Sequence, residues 1–231
     1  MPPVINRIGY NDTTFTRNTN RNQANFITKT ASAAGSTAGL IAATTFIVKK
    51  RGYKLPTLKD KKQIIKLIKN LEFKAKDVIL LASSSVAGGL VCGTITDPKH
   101  AKAKRKEGLT QLVGNYIIPS LFVGGGMKLN KTLNKTFKFP PVTRTTQAIF
   151  GTASFISGVI IGNRISRFIN KHLYKENDTR RLNWKDWLEQ ADNVCLVTSM
   201  ANPGTSLAKH ASKIIPLAHI LPGYCTGIKR D

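Results

Sequence analysis

Lys62, Lys66 and Lys69 stand four and three residues apart within TLKDKKQIIKLIKNLEF, residues 57–73. In a helix they share one face, while Ile64, Ile65, Ile68 and Leu71 define another. Pro56 precedes the stretch, and Thr57 with Asp60 resembles a capping box, so a helical start is expected there. An amphipathic helix of this kind lies in the head-group layer of an anionic leaflet. Its lysines are therefore the expected ligands of phospholipid head groups. The same pattern also suits a solvated helix that packs its apolar face on the rest of the chain.

Asn115 and Pro119 form a second pair with chemical consequence, because they interrupt an otherwise apolar run. Proline removes a backbone donor and frees a carbonyl, and asparagine brings hydrogen bonds to the same region. Together they predict either a packed kink or a broken helix lining a polar path. Catalysis is not indicated. The chain lacks the P-loop, dinucleotide-binding, zinc-protease and nucleophile-elbow motifs. His100, His172, His210 and His219 show neither metal spacing nor an evident carboxylate partner. Cys92, Cys195 and Cys225 contain no CxxC pair and read as small hydrophobes. No catalytic residue, cofactor or metal is expected, and the reading leans away from an enzyme.

The elements that carry these residues are unusual. Thr30–Val48, Val78–Thr96, Leu109–Met127 and Thr145–Asn163 are each uncharged for 19 positions. With 21% charged residues overall, one such window arises by chance about one time in a hundred. Nineteen helical residues rise about 28 Å, close to the hydrocarbon thickness of a bilayer. The fold class expected is all-α, a multi-pass bundle with spans 30–48, 78–96, 109–127 and 145–163. A polar tail, 1–29, precedes it, and short interfacial helices are expected at 57–73 and at 182–190 around Trp184 and Trp187. Residues 193–231 are apolar but broken by Pro203, Pro216 and Pro222. A fifth strained span, a re-entrant hairpin and surface helices all fit them.

Small residues recur at intervals of four in three spans: Ala31, Gly35 and Gly39; Ser85, Gly89 and Gly93; Ser154, Gly158 and Gly162. Each set forms a flat stripe along which helix backbones approach in lipid. The expectation is a structural or scaffolding membrane protein, or a passive pore, assembling with like or unlike chains through its membrane helices. Thirty-six Lys and Arg against 12 Asp and Glu imply an anionic partner. The cations flank apolar segments, which favours anionic phospholipid. The rival is a soluble basic helical protein binding nucleic acid. Few aromatics stand among the loop cations, which argues against it.

Orientation rests on a small bias. Loops 49–77 and 128–144 carry 16 Lys and Arg, against 13 on the other side. Lys49-Lys50-Arg51 abuts the first span, so loop 49–77 is expected in the cytoplasm and the N-terminus outside. A fifth crossing would bring the C-terminus to the side of loop 49–77.

Overall fold

The computed structural model describes residues 23–54, 71, 73–137, 143–175, 190–202 and 204–230. Among these residues the structure is helical and contains no strand. Helix α1 covers Phe26–Lys50, and Asn25 caps it by accepting from Thr28 N at 2.8 Å. Helix α2 covers Ala75–Thr96, starting where Asp77 accepts from Lys74 N. A 3₁₀ turn at Pro98–His100 leads into α3, Ala101–Thr110. A π-helical segment, Gln111–Ile117, joins α3 to α4, Ile118–Phe137. Helix α5, Arg144–Tyr174, starts at a reciprocal cap between Thr143 and Thr146. Helices α6, Ala191–Ala201, α7, Ser206–Ala218, and α8, Ile220–Ile228, complete the chain.

Three helices, α1, α2 and α5, are long and apolar enough to cross a membrane. They overrun the uncharged windows because flanking Lys and Arg are good helix formers. The window 109–127 is not one regular span. It is divided among α3, the π segment and α4, whose second half carries Lys128, Lys131 and Lys135. A four-span bundle is therefore narrowed to three qualifying helices.

The bundle has two distinguishable ends. At one lie Arg51 and Asp77, which pair with each other, together with Lys131, Gln147 and Met200. At the other lie Asp97, Lys104 and Arg230. Helices α7 and α8 run between these ends, with Pro216 and Pro222 bracketing the bend at His219. Pro222 sits in the first turn of α8, where its missing N–H would have had no helical partner. The C-terminal segment is thus inserted into the bundle, not laid on its surface. Arg230 Nη1 donates to Gln23 O at 2.6 Å, so the described C-terminus lies at the end where α1 begins. This reverses the side expected from a single fifth crossing, because α6 and α7 form a hairpin whose turn sits at the Arg51 end.

Large apolar residues meet mainly in the half nearer Arg51. Leu40, Ile47, Leu81, Val123, Met127, Phe155 and Ile215 pack there, with Leu196 from α6. The amphipathic stretch 57–73 falls outside the described residues except for Leu71 and Phe73, both buried. Lys62, Lys66 and Lys69, the tail 1–22, Trp184 and Trp187 also lie outside them.

Candidate functional site

Among the described residues the densest contact is a seam of glycine and serine between α1, α2 and α8. A methyl group at Gly35 would strike the Gly88 carbonyl and come within 2.6 Å of Cys92 Sγ, and one at Gly39 would strike Ser84 O. In the stripe Ser85, Gly89 and Gly93, the two glycines face α8, and Ser85 touches both α8 and α1. Gly89 abuts the Gly223 carbonyl, and a methyl at Gly93 would lie 2.6 Å from Gly227 Cα. Helix α2 therefore carries two small-residue faces offset by one position, Ser84–Gly88–Cys92 toward α1 and Gly89–Gly93 toward α8, with Ser85 touching both helices. Small side chains are required because backbones, not side chains, are in contact.

Serines fasten this seam where α7 bends into α8. Ser36 Oγ lies 2.7 Å from Ser85 Oγ and 2.7 Å from Ile220 O. Ser85 Oγ also reaches His219 O. Two hydroxyl protons thus serve three close contacts, and both serines are fully buried. The His219 ring is buried beside Tyr116, with centroids 5.1 Å apart, and its Nδ1 lies 2.6 Å from Ile215 O.

The third stripe packs elsewhere. Ser154 meets Gly126, and Gly158 fits against Pro119 Cα and Phe122 Cβ at 2.8 and 2.9 Å from an added methyl. Gly162 meets the Gly114 carbonyl and Ile118. All three stripes are therefore covered by helices of the same chain. Assembly with other chains would have to use different surfaces.

Asn115 and Pro119 stand at the π segment, and the structure gives them a partner that the sequence does not suggest. Pro119 cannot donate to the Asn115 carbonyl four residues earlier. Asn193 of α6 donates Nδ2 to that carbonyl at 3.0 Å, and to Gln190 Oε1 at 2.8 Å. Asn193 Oδ1 also accepts from Ser120 at 3.4 Å. On the helix itself, Asn115 Nδ2 donates to Gln111 Oε1 and Gln111 Nε2 to Glu107 Oε1, both at 2.8 Å. The result is a row of amides at helical spacing, with Gln111, Ser120, Gln190 and Asn193 buried.

Asn193→Leu should therefore destabilise the protein by about 1–3 kcal/mol, since buried acceptors lose their donor. Thr198→Val on the same helix removes only a hydroxyl that bonds back to Val194 O, and should be nearly neutral. In a Pro119→Ala background the Asn193→Leu loss should shrink, because alanine in place of the proline restores a backbone donor. Thermal unfolding in detergent gives all three values. Equal losses with and without Pro119 would sink the link between the two residues.

A further cluster closes the opposite end. Asp97, just past α2, is 8% exposed. Lys104 Nζ donates to its Oδ2 and to its backbone carbonyl, each at 3.1 Å, and Arg230 Nε donates to Oδ2 at 3.0 Å. His100 Nδ1 lies 2.8 Å from Oδ1, so one histidine does have a carboxylate partner, contrary to the sequence expectation. Burial alone would raise the Asp97 pKa. Hydrogen bonds with His100 and Lys104 and the charges of Lys104 and Arg230 outweigh it, holding the carboxyl at about 2.

Sequence reasoning overlooked Gly223 and Gly227, Gln190 and Asn193, and the Asp97 cluster. Gly223 and Gly227 were detectable by the same interval of four within an uncharged stretch. Asp97, His100 and Lys104 share a helical face by spacing, but Arg230 and Asn193 reach their partners only through the tertiary fold. Among the described residues no group of three or more His, Cys, Asp or Glu could hold a metal. No protein-family model, curated protein or solved structure matches the chain.

Proposed function

We propose that the chain is a multi-pass integral membrane protein with a structural or scaffolding role. The observation that carries this reading is an inverted distribution of side chains. Ser32, Ser36, Ser85, Gly89 and Gly93 are buried where helices meet, whereas Ile41, Phe46, Val91, Ile95, Ile149 and Phe168 face outward and are more than half exposed. Within the chain, only 39%, 39% and 28% of the most apolar windows of α1, α2 and α5 are buried. Water would penalise that arrangement, while lipid tails solvate it and leave backbone packing to hold the helices together. Crossing by the α3–α4 rod, and by the α6–α7–α8 segment, completes the proposed topology.

Cations at both ends of the apolar belt suit the two head-group layers and an anionic phospholipid partner. Lys49, Lys50, Arg51 and Lys131 stand at one end, and Lys99, Lys102, Lys106, Lys171 and Arg230 at the other. A nucleic-acid ligand would favour one continuous basic face. A second reading, passive conduction, draws on the row of polar side chains Glu107, Gln111 and Asn115, of which Gln111 is buried, leading into the π segment, a deviation often found at functional positions. Alkaline extraction of expressed protein tests the main reading. The protein is expected in the membrane pellet, and its release into the soluble fraction would overturn the proposal.

A further inference from the structure

We propose that the cleft between the ends of α1, α2, α4 and α6 binds the phosphate head group of an anionic phospholipid. The inference rests on the membrane reading above and concerns residues other than Lys62, Lys66 and Lys69. The cleft has a volume of about 660 Å³. Lys50 and Arg51 contribute from α1, Lys74 and Lys76 from the start of α2, and Lys131 from α4. Among the described residues on its wall Asp77 is the one carboxylate, so five cations against one anion leave a formal excess of four positive charges there. Asp77 is already engaged, pairing with Arg51 and accepting from Lys74 N at 2.8 Å.

The floor decides what kind of anion fits. Ile47 and Phe73 are 2% and 4% exposed, and Met200 from α6 lies beside them. A ring of cations above an apolar floor matches a molecule with a phosphate at one end and hydrocarbon at the other. Free phosphate would gain nothing from that floor. Depth agrees with this assignment. Lys50 is the last residue of α1 and Arg51 follows it; the 25 residues of α1 rise about 37 Å, so both stand at the level of the head groups. The amino end of α2 opens into the same cleft and adds its partial positive charge.

The test uses the full-length protein in neutral detergent, with bound lipid counted by native mass spectrometry. Phosphatidylglycerol, phosphatidylcholine and inorganic phosphate are titrated separately. Phosphatidylglycerol should bind well ahead of the other two. Lys50→Gln and Lys131→Gln should each weaken it about fivefold and together about 25-fold, as expected for removal of one surface charge apiece. Both side chains are exposed, so the fold should survive, and circular dichroism would check this. Lys171→Gln, at the other end, should leave binding unchanged. Undiminished phosphatidylglycerol binding in the double variant would overturn the site. Inorganic phosphate binding as tightly as the lipid would overturn the lipid as its ligand. If alkaline treatment solubilises the protein while phosphate binding still falls in the double variant, the membrane reading fails and an anion site of different ligand remains.

Discussion

Gly89→Leu should cause the largest loss of stability of any single substitution in the helix seam. A side chain there meets the Gly223 carbonyl group, with its carbon 2.5 Å and its Cα 3.1 Å from the new Cβ. Overpacking among flexible side chains costs about 1–3 kcal/mol. Here the obstacle is backbone, so α2 and α8 must separate, and the loss should reach about 3 kcal/mol or more. Separation would also pull Ser85 from His219 O and Ser36 from Ile220 O, the hydrogen bonds that hold the α7–α8 bend. Against a typical total of about 5–15 kcal/mol, that is enough to unfold much of the population on mild heating. Gly125→Leu is the matched control, because nothing lies within 4 Å of a Cβ at that helical glycine. Ala87→Leu, on the outward face of α2, is a second. Equal unfolding midpoints in detergent for all three variants would refute the seam.

Asp97→Asn is expected to follow closely. Lys104 is fully buried, and Asp97 supplies the negative charge that makes its burial tolerable. Removing one partner of a buried pair costs about 3–5 kcal/mol, because the other charge is left behind. The substitution also releases Arg230, which ties the end of α8 to the beginning of α1 through Gln23 O. Asp97 lies past the last residue of α2, outside the apolar segment, so its titration can be followed in solution. Its pKa is lowered from 3.8 to about 2, so the stabilisation linked to its charge is complete above about pH 4 and disappears as pH falls through about 2. That shift corresponds to about 2 kcal/mol. The stability gap between wild type and Asp97→Asn should therefore narrow between about pH 4 and pH 2. A gap independent of pH across that interval would show that the carboxylate charge contributes nothing.

Helical content and the placement of apolar helices were legible in the chain because both follow from local composition. Nineteen uncharged residues leave a helix no charged face to turn toward water, whatever the tertiary fold. Thr30–Val48, Val78–Thr96 and Thr145–Asn163 accordingly lie within α1, α2 and α5. Glycines at intervals of four lie against neighbouring backbones, since residues four apart share a face in any α-helix. The same rule, applied to Gly223 and Gly227, would have found the third member of the seam.

Tertiary structure alone decided which faces meet. Gly88 and Gly89 are adjacent in sequence, yet one contacts α1 and the other α8, because neighbouring residues on a helix point about 100° apart. It also decided how residues 109–127 are arranged. Their composition reads as one span, but Pro119 removes a backbone donor, and Asn193 from 78 residues further along the chain donates to the Asn115 carbonyl. The course of the C-terminal segment was undetermined for a similar reason. The uncharged pieces 194–208 and 214–228 are 15 residues each, too short to span alone. The contacts of Gly223 and Gly227 with α2, the hydrogen bonds from Ser36 and Ser85 to the bend, and Arg230 reaching Asp97 across 133 positions place them inside the bundle. Sequence determined what each helix is made of, because that is a property of neighbours along the chain. Partners brought together by folding depend on helix directions and offsets, which no local pattern encodes.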